Sequence, residues 1–141
     1  MKYSDFLKER KGCPFCDVKD EIIAENKSAY LTYALAPYHK HHLLVVPKKH
    51  TDKILDVSDD EMKDVYSLLK NGLGILKNLG YGNISLLVRE GNEIGKSVPH
   101  LHYHIIPNIR VGDLDHEGNE RKVLNKEEIA DTMADIKAVM Q

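Results

Sequence analysis

The chain is 141 residues long, 30% charged, with a formal net charge of −2. That length suits one domain with a core of its own, since a chain of about 150 residues buries roughly 68–70% of its unfolded surface. The near-neutral balance excludes the basic field that a large polyanion needs, leaving a small anionic ligand held by local donors.

In chain order, residues 1–5 carry no apolar h-region, and no later run approaches transmembrane length, so an intracellular, cytoplasmic protein without a membrane partner is expected. Residues 2–11 are charged, with Tyr3, Phe6 and Leu7 apolar, which suggests a short helix. Gly12-Cys13-Pro14-Phe15-Cys16 forms a tight knuckle. In a reducing compartment its two thiols suit metal binding or redox work better than a structural bridge. Residues 21–25 and 28–35 predict two strands, joined by a turn at Asn26-Lys27. Leu43-Leu44-Val45-Val46 predicts a third, buried strand stopped by Pro47. Ser58-Asp59-Asp60-Glu61 has the form of a capping box and opens a helix. Met62, Val65, Leu68, Leu69, Leu73, Leu76 and Leu79 follow near the helical period, and Gly80 stands where a C-terminal cap belongs. Gly72 and Gly74 inside that helix cost about 1 kcal/mol each against Ala, and allow close packing onto the sheet or onto a partner. Residues 84–89 predict a fourth strand, 90–97 a polar loop, and 100–106 a strictly alternating fifth strand stopped by Pro107. A polar loop over 108–121 leads to a last helix over 125–140, with Ile129, Met133 and Ile136 on one face. There is no repeat, low-complexity run or linker. The expectation is one α+β domain over 1–141, built on an antiparallel sheet of about five strands.

Three of the eight histidines, His100, His102 and His104, alternate along the fifth strand. Alternate side chains share a face and repeat about every 6.6 Å, so all three imidazoles project to one side. An exposed polar face or a fortuitous metal cluster would give the same pattern. Just upstream, the Gly-bracketed run Gly91-Asn92-Glu93-Ile94-Gly95-Lys96-Ser97 is suited to aim backbone N–H groups at an anion. His42 heads the third strand, with Pro47-Lys48-Lys49-His50 behind it, so two strands bring imidazoles toward one place. His39 and His41 suit an exposed turn, His116 a solvated loop, and Tyr30 and Tyr33 sheet packing.

His100-Leu101-His102-Tyr103-His104-Ile105-Ile106 resembles the His-φ-His-φ-His-φ-φ signature of the histidine-triad (HIT) family. Gly95-Lys96-Ser97-Val98-Pro99 is similar to the approach to that signature, the run from His42 to His50 to its upstream strand, and Cys13-Pro14-Phe15-Cys16 to its N-terminal knuckle. These matches run from residue 13 to 107 in the family's order.

The resemblance implies a HIT-like fold and a hydrolase or transferase acting on the α-phosphate of substituted nucleotides. It makes His102 the nucleophile, forming a nucleotidyl-histidine while its other ring nitrogen donates to a backbone carbonyl. His104 and His42 become donors to the non-bridging oxygens, and Ser97 a partner of the leaving group. Arg89, Gly95, Lys96, Ser97, Phe15 and Ile23 would contact the nucleotide. The resemblance also implies a structural zinc on Cys13, Cys16, His50 and His100, no catalytic metal, and a homodimer formed through residues 58–79 and 83–89. Free thiols or a redox pair are the alternatives to zinc. A phosphorylase or nucleotidyltransferase, a non-catalytic nucleotide-binding protein and a metallohydrolase are the alternative functions. The chain departs from the family at Arg89, usually Asn or Gln, at Lys96, usually Gln, and at Ala34, where an Asp or Asn usually holds the ribose.

Overall fold

A computed structural model of the chain describes Lys2, Asp5, Lys8, Glu9 and residues 12–16, 22–91, 98–109 and 123–140. Five strands make one antiparallel sheet: β1 (Ile22–Glu25), β2 (Ala29–Tyr33), β3 (Leu43–Pro47), β4 (Ile84–Val88) and β5 (Tyr103–Pro107). Their order across the sheet is β1-β2-β3-β5-β4. A long helix, α1 (Asp59–Asn78), and a C-terminal helix, α2 (Lys126–Val139), complete the α+β architecture that the pattern predicts. The proposed helix over 2–11 and the loop over 108–121 fall largely outside the described residues.

The β1–β2 turn sits one residue later than expected, on Lys27 and Ser28. Asn26 N–H donates to Ala29 O, and the Asn26 side-chain oxygen accepts from the N–H groups of Ser28 and Ala29. Asn26 is therefore the first corner of an Asx-type turn. Its amide also donates to the Asp64 carbonyl on α1, pinning the hairpin to the helix.

α1 begins as the capping box predicts: Ser58 Oγ accepts from Glu61 N–H, and the Glu61 carboxylate accepts from Ser58 N–H. Leu79 caps its end, and Gly80 follows at φ +98°, a left-handed turn that favours glycine. Val65, Leu68, Leu69 and Leu76 pack on Ala29, Leu31, Leu43, Val45, Tyr103 and Ile105 from the three central strands. Gly72 lies in that seam, where an added Cβ would collide with Ile105 Cδ1, so the close approach is to the sheet. Gly74 faces open space. Ile129, Met133 and Ile136 share a face of α2, as the spacing predicts, but remain 48%, 42% and 44% exposed.

The opposite sheet face carries a smaller cluster of Tyr30, Ala34, Leu44 and Val46, with Phe15 of the knuckle packed on it. The same face continues into the histidines.

Candidate active site

His42 immediately precedes β3, at the close of the β2–β3 hairpin, where its carbonyl accepts from Ala34 N–H. It is 2% exposed, and His104 on β5 is 8% exposed. Strand register brings them together. Leu44 lies opposite His104, and His42 is two residues from Leu44 on the same face, hence a diagonal neighbour of His104. His42 Nε2 and His104 Nδ1 are 2.8 Å apart.

The direction of that bond follows from its surroundings. Tyr38 N–H donates to His42 Nδ1 at 3.1 Å, and a backbone N–H can only donate. The neutral His42 ring therefore carries its proton on Nε2 and donates to His104 Nδ1. His104 in turn carries its proton on Nε2. Both rings are held neutral: burial, then the neighbouring His102 and the Arg89 charge among others, lower His42 to about 4. Burial, His102, His42 and Arg89 lower His104 to about 3. The chain Tyr38 N–H → His42 → His104 ends in an imidazole N–H donor. Tyr38 also stacks on His42, with ring centroids 5.7 Å apart. Nothing in the spacing of the sequence singles out Tyr38, because its backbone rather than its side chain sets the tautomer.

His102 is fixed from the other side. Its Nδ1 lies 2.8 Å from the carbonyl of His100, which can only accept, so Nδ1 bears the proton and Nε2 the lone pair. The ring is partly exposed, 5.0 Å from that of His104 and 5.1 Å from Phe15.

His100 to His102 do not join the ladder, contrary to the strand expected from residue 100; β5 starts at Tyr103. Leu101 N–H instead donates to Thr51 O, beyond the end of β3, and Pro99 removes a donor just before. His100 is fully buried, and its Nε2 donates to the Pro47 carbonyl at 2.7 Å. Its Nδ1 thereby presents a lone pair to Cys13 Sγ at 3.4 Å, Cys16 Sγ at 3.5 Å and His50 Nδ1 at 3.2 Å. Cys16 Sγ is 2.9 Å from His50 Nδ1, and the four atoms lie within 4.8 Å of one another. A tetrahedral zinc with bonds of about 2.0–2.3 Å holds its ligand atoms about 3.3–3.8 Å apart, and two thiols and two imidazoles gathered near that spacing are a donor set that could hold one. The Tyr30 hydroxyl secures the knuckle by donating to the Phe15 carbonyl at 2.8 Å.

The structure thus brings together His42, His102, His104 and Phe15, and separately Cys13, Cys16, His50 and His100. Arg89 follows the last residue of β4, with its charge felt at His42 and His104. Ile23 is 47% exposed on the edge strand β1, and Ala34 is buried in the apolar cluster under Phe15. Gly95, Lys96 and Ser97 lie outside the described residues. His39 and His41 are not a bare exposed turn: both rings pack on Tyr81, and His41 Nδ1 lies 2.5 Å from the Tyr81 hydroxyl. No helix among the described residues is long and apolar enough to cross a membrane.

A family model described as HIT domain matches residues 17–111. The chain is 35% identical over 101 residues to the adenosine 5′-monophosphoramidase of Schizosaccharomyces pombe, covering 68% of this chain and 74% of that protein. It is 34% identical over 104 residues to a bis(5′-adenosyl)-triphosphatase of Saccharomyces cerevisiae, covering 69% of this chain and 50% of the relative. In fold it resembles a HIT family protein of Bacillus subtilis, with a TM-score of 0.72, 23% identity, and 93% and 99% of the two chains covered.

Proposed function

The chain belongs to the HIT domain family, and from that membership we propose that it is a nucleotide hydrolase that cleaves at an α-phosphate through a nucleotidyl-His102 intermediate. Its substrate is a dinucleoside polyphosphate or a nucleoside phosphoramidate, the classes that the names of its relatives describe for those proteins. The observation that carries this reading is the pairing of two oppositely prepared imidazoles. His102 has its proton on Nδ1 and its lone pair on Nε2, while His104 carries its proton on Nε2.

The His102 Nε2 lone pair attacks the α-phosphorus, an N–P bond forms, and the bond to the leaving oxygen or nitrogen breaks with its electron pair. The His104 Nε2–H donates to a non-bridging oxygen as charge gathers there, a role for which a fixed neutral donor needs no reorganisation. His42 acts through His104 rather than on the phosphate, because its own Nε2–H is engaged by His104. The modified His102 ring is cationic, and the His100 carbonyl at its Nδ1–H steadies that charge. Water then attacks phosphorus, the N–P bond breaks back to Nε2, and a nucleoside monophosphate leaves as the water proton passes to solvent. Ser97 protonates or orients the leaving group, and Gly95 and Lys96 hold its phosphates. Phe15 and Ile23 form the nucleoside wall.

A zinc ion on Cys13, Cys16, His50 and His100 would be four-coordinate and closed, supplying structure rather than a reactive water. A second copy would cover Leu86 on β4 and Tyr66 on α1, which are 50% and 62% exposed.

The test is mass spectrometry of protein quenched during turnover of adenosine 5′-monophosphoramidate or diadenosine triphosphate. An AMP adduct on the peptide containing His102 is expected, and His102→Ala should remove both adduct and turnover while nucleotide binding persists. Full turnover by His102→Ala would end this reading. Metal content measured for the wild type beside Cys13→Ser/Cys16→Ser tests the zinc site, and equal zinc in both would refute it.

A further inference from the structure

Arg89 stands at a position that the strand register defines closely. Leu87 lies opposite His104 and Val88 opposite Tyr103, so Arg89, just past the end of β4 and two residues from Leu87, is a diagonal neighbour of His104. Diagonal neighbours lie about 7–8 Å apart, within the reach of a long side chain. Its side chain is partly buried, and among the described residues no carboxylate pairs with it. Its charge is felt at both His42 and His104, which are themselves neutral. A permanent cation therefore stands beside the two neutral imidazoles of the site.

The two substrate classes present the same nucleoside α-phosphate and differ in what departs. A dinucleoside polyphosphate breaks a P–O bond and releases a nucleoside polyphosphate, whose bridging oxygen leaves with a new negative charge. A phosphoramidate breaks a P–N bond, and its nitrogen takes a proton and leaves as a neutral amine. A guanidinium is longer than an imidazole, always charged, and forked to match two phosphate oxygens. A cation of that length, set beside His104, suits the phosphate next to the one attacked.

We infer that Arg89 is a specificity-determining residue that biases this site toward anionic leaving groups, making dinucleoside polyphosphates the preferred substrate class. This rests on the hydrolase reading above and narrows it.

The test compares kcat/KM for diadenosine triphosphate with kcat/KM for adenosine 5′-monophosphoramidate, in wild type, Arg89→Gln and Arg89→Lys. Loss of one well-placed charge–phosphate contact lowers the polyphosphate-to-phosphoramidate ratio about tenfold in Arg89→Gln, with Arg89→Lys between it and wild type. A ratio that falls at least about threefold in Arg89→Gln supports the assignment. A ratio that moves less than that, however far both activities fall, overturns it, because Arg89 would then serve the shared α-phosphate or the fold. Wild-type protein that hydrolyses neither compound would refute the hydrolase reading instead. Arg89 is then judged by the ratio of ATP to AMP affinity from calorimetry, with the same threshold on the same variants.

Discussion

His42 and His104 are buried, neutral and joined by one hydrogen bond, which ties the stability of the fold to pH. Both rings have depressed values, about 4 and about 3, against about 6.5 in an unfolded chain. Above pH 6.5 neither state binds these protons and their contribution is fully present. As pH falls below 6.5 the unfolded chain takes up protons that the folded chain refuses, so stability drops by up to about 1.4 kcal/mol per pH unit for each ring until pH nears 4. Urea midpoints measured from pH 7 to 4 should fall more steeply in wild type than in His104→Gln; parallel slopes would contradict the buried neutral pair. The same bond has a catalytic reading. His42→Ala leaves His104 Nδ1 without its donor, and kcat should fall about 10²–10³-fold, as for a lost transition-state donor, with KM moving less. Unchanged kcat would separate His42 from the reaction. The sequence displays this crowd of imidazoles plainly, since alternation and the position of His42 at the head of a strand are enough to gather them. It does not display which nitrogen holds each proton. That depends on the backbone N–H of Tyr38 and the carbonyl of His100, and backbone groups leave no mark on residue identity.

At the scale of elements, the α1 boundaries were legible because local side chains set them: Ser58 and Glu61 bond each other's backbone, and Gly80 takes the left-handed turn. The start of β5 was not. Alternation continues through His100 and Leu101, but the backbone there bonds sideways to Thr51, a long-range partner that periodicity cannot reveal. The two helix glycines show the same divide. They look alike in sequence, yet Val65, Leu69, Gly72 and Leu76 form one stripe against the sheet, while Gly74 lies outside it. Alanine at Gly74 should gain up to about 1 kcal/mol of helix propensity. Alanine at Gly72 gains the same propensity but drives a methyl into Ile105, which is fully buried, so the net change should be a loss of about 1–2 kcal/mol. Denaturation midpoints of the two variants should move in opposite directions, and a Gly72→Ala protein as stable as Gly74→Ala would mean that α1 does not sit this close to the sheet.

Across the whole molecule, His100 is where the two side-chain clusters meet. Its Nδ1 faces Cys13, Cys16 and His50, its Nε2 donates to Pro47, and its carbonyl fixes the proton of His102. The knuckle reaches the same place by a second route, because Phe15 touches both the His100 and the His102 rings. A metal bound by the four donors would tie the N-terminal knuckle, the residues after β3 and the approach to β5 into one rigid unit. Removing it would release one end of the ring of His100, the residue whose backbone carbonyl holds the nucleophile's tautomer, although no metal takes part in the reaction as proposed. Chelator treatment of zinc-loaded protein should therefore lower Tm by on the order of 10 °C, the scale of a tightly held ligand on a domain this size. It should lower kcat as well, and Cys13→Ser/Cys16→Ser should reproduce both losses without chelator. Re-addition of zinc should restore the chelated wild type and not the variant. A chelated protein that has lost its zinc and its thermal stability but turns over at the original rate would show that the knuckle supports the fold alone, with His102 held by β5 without help from the metal site.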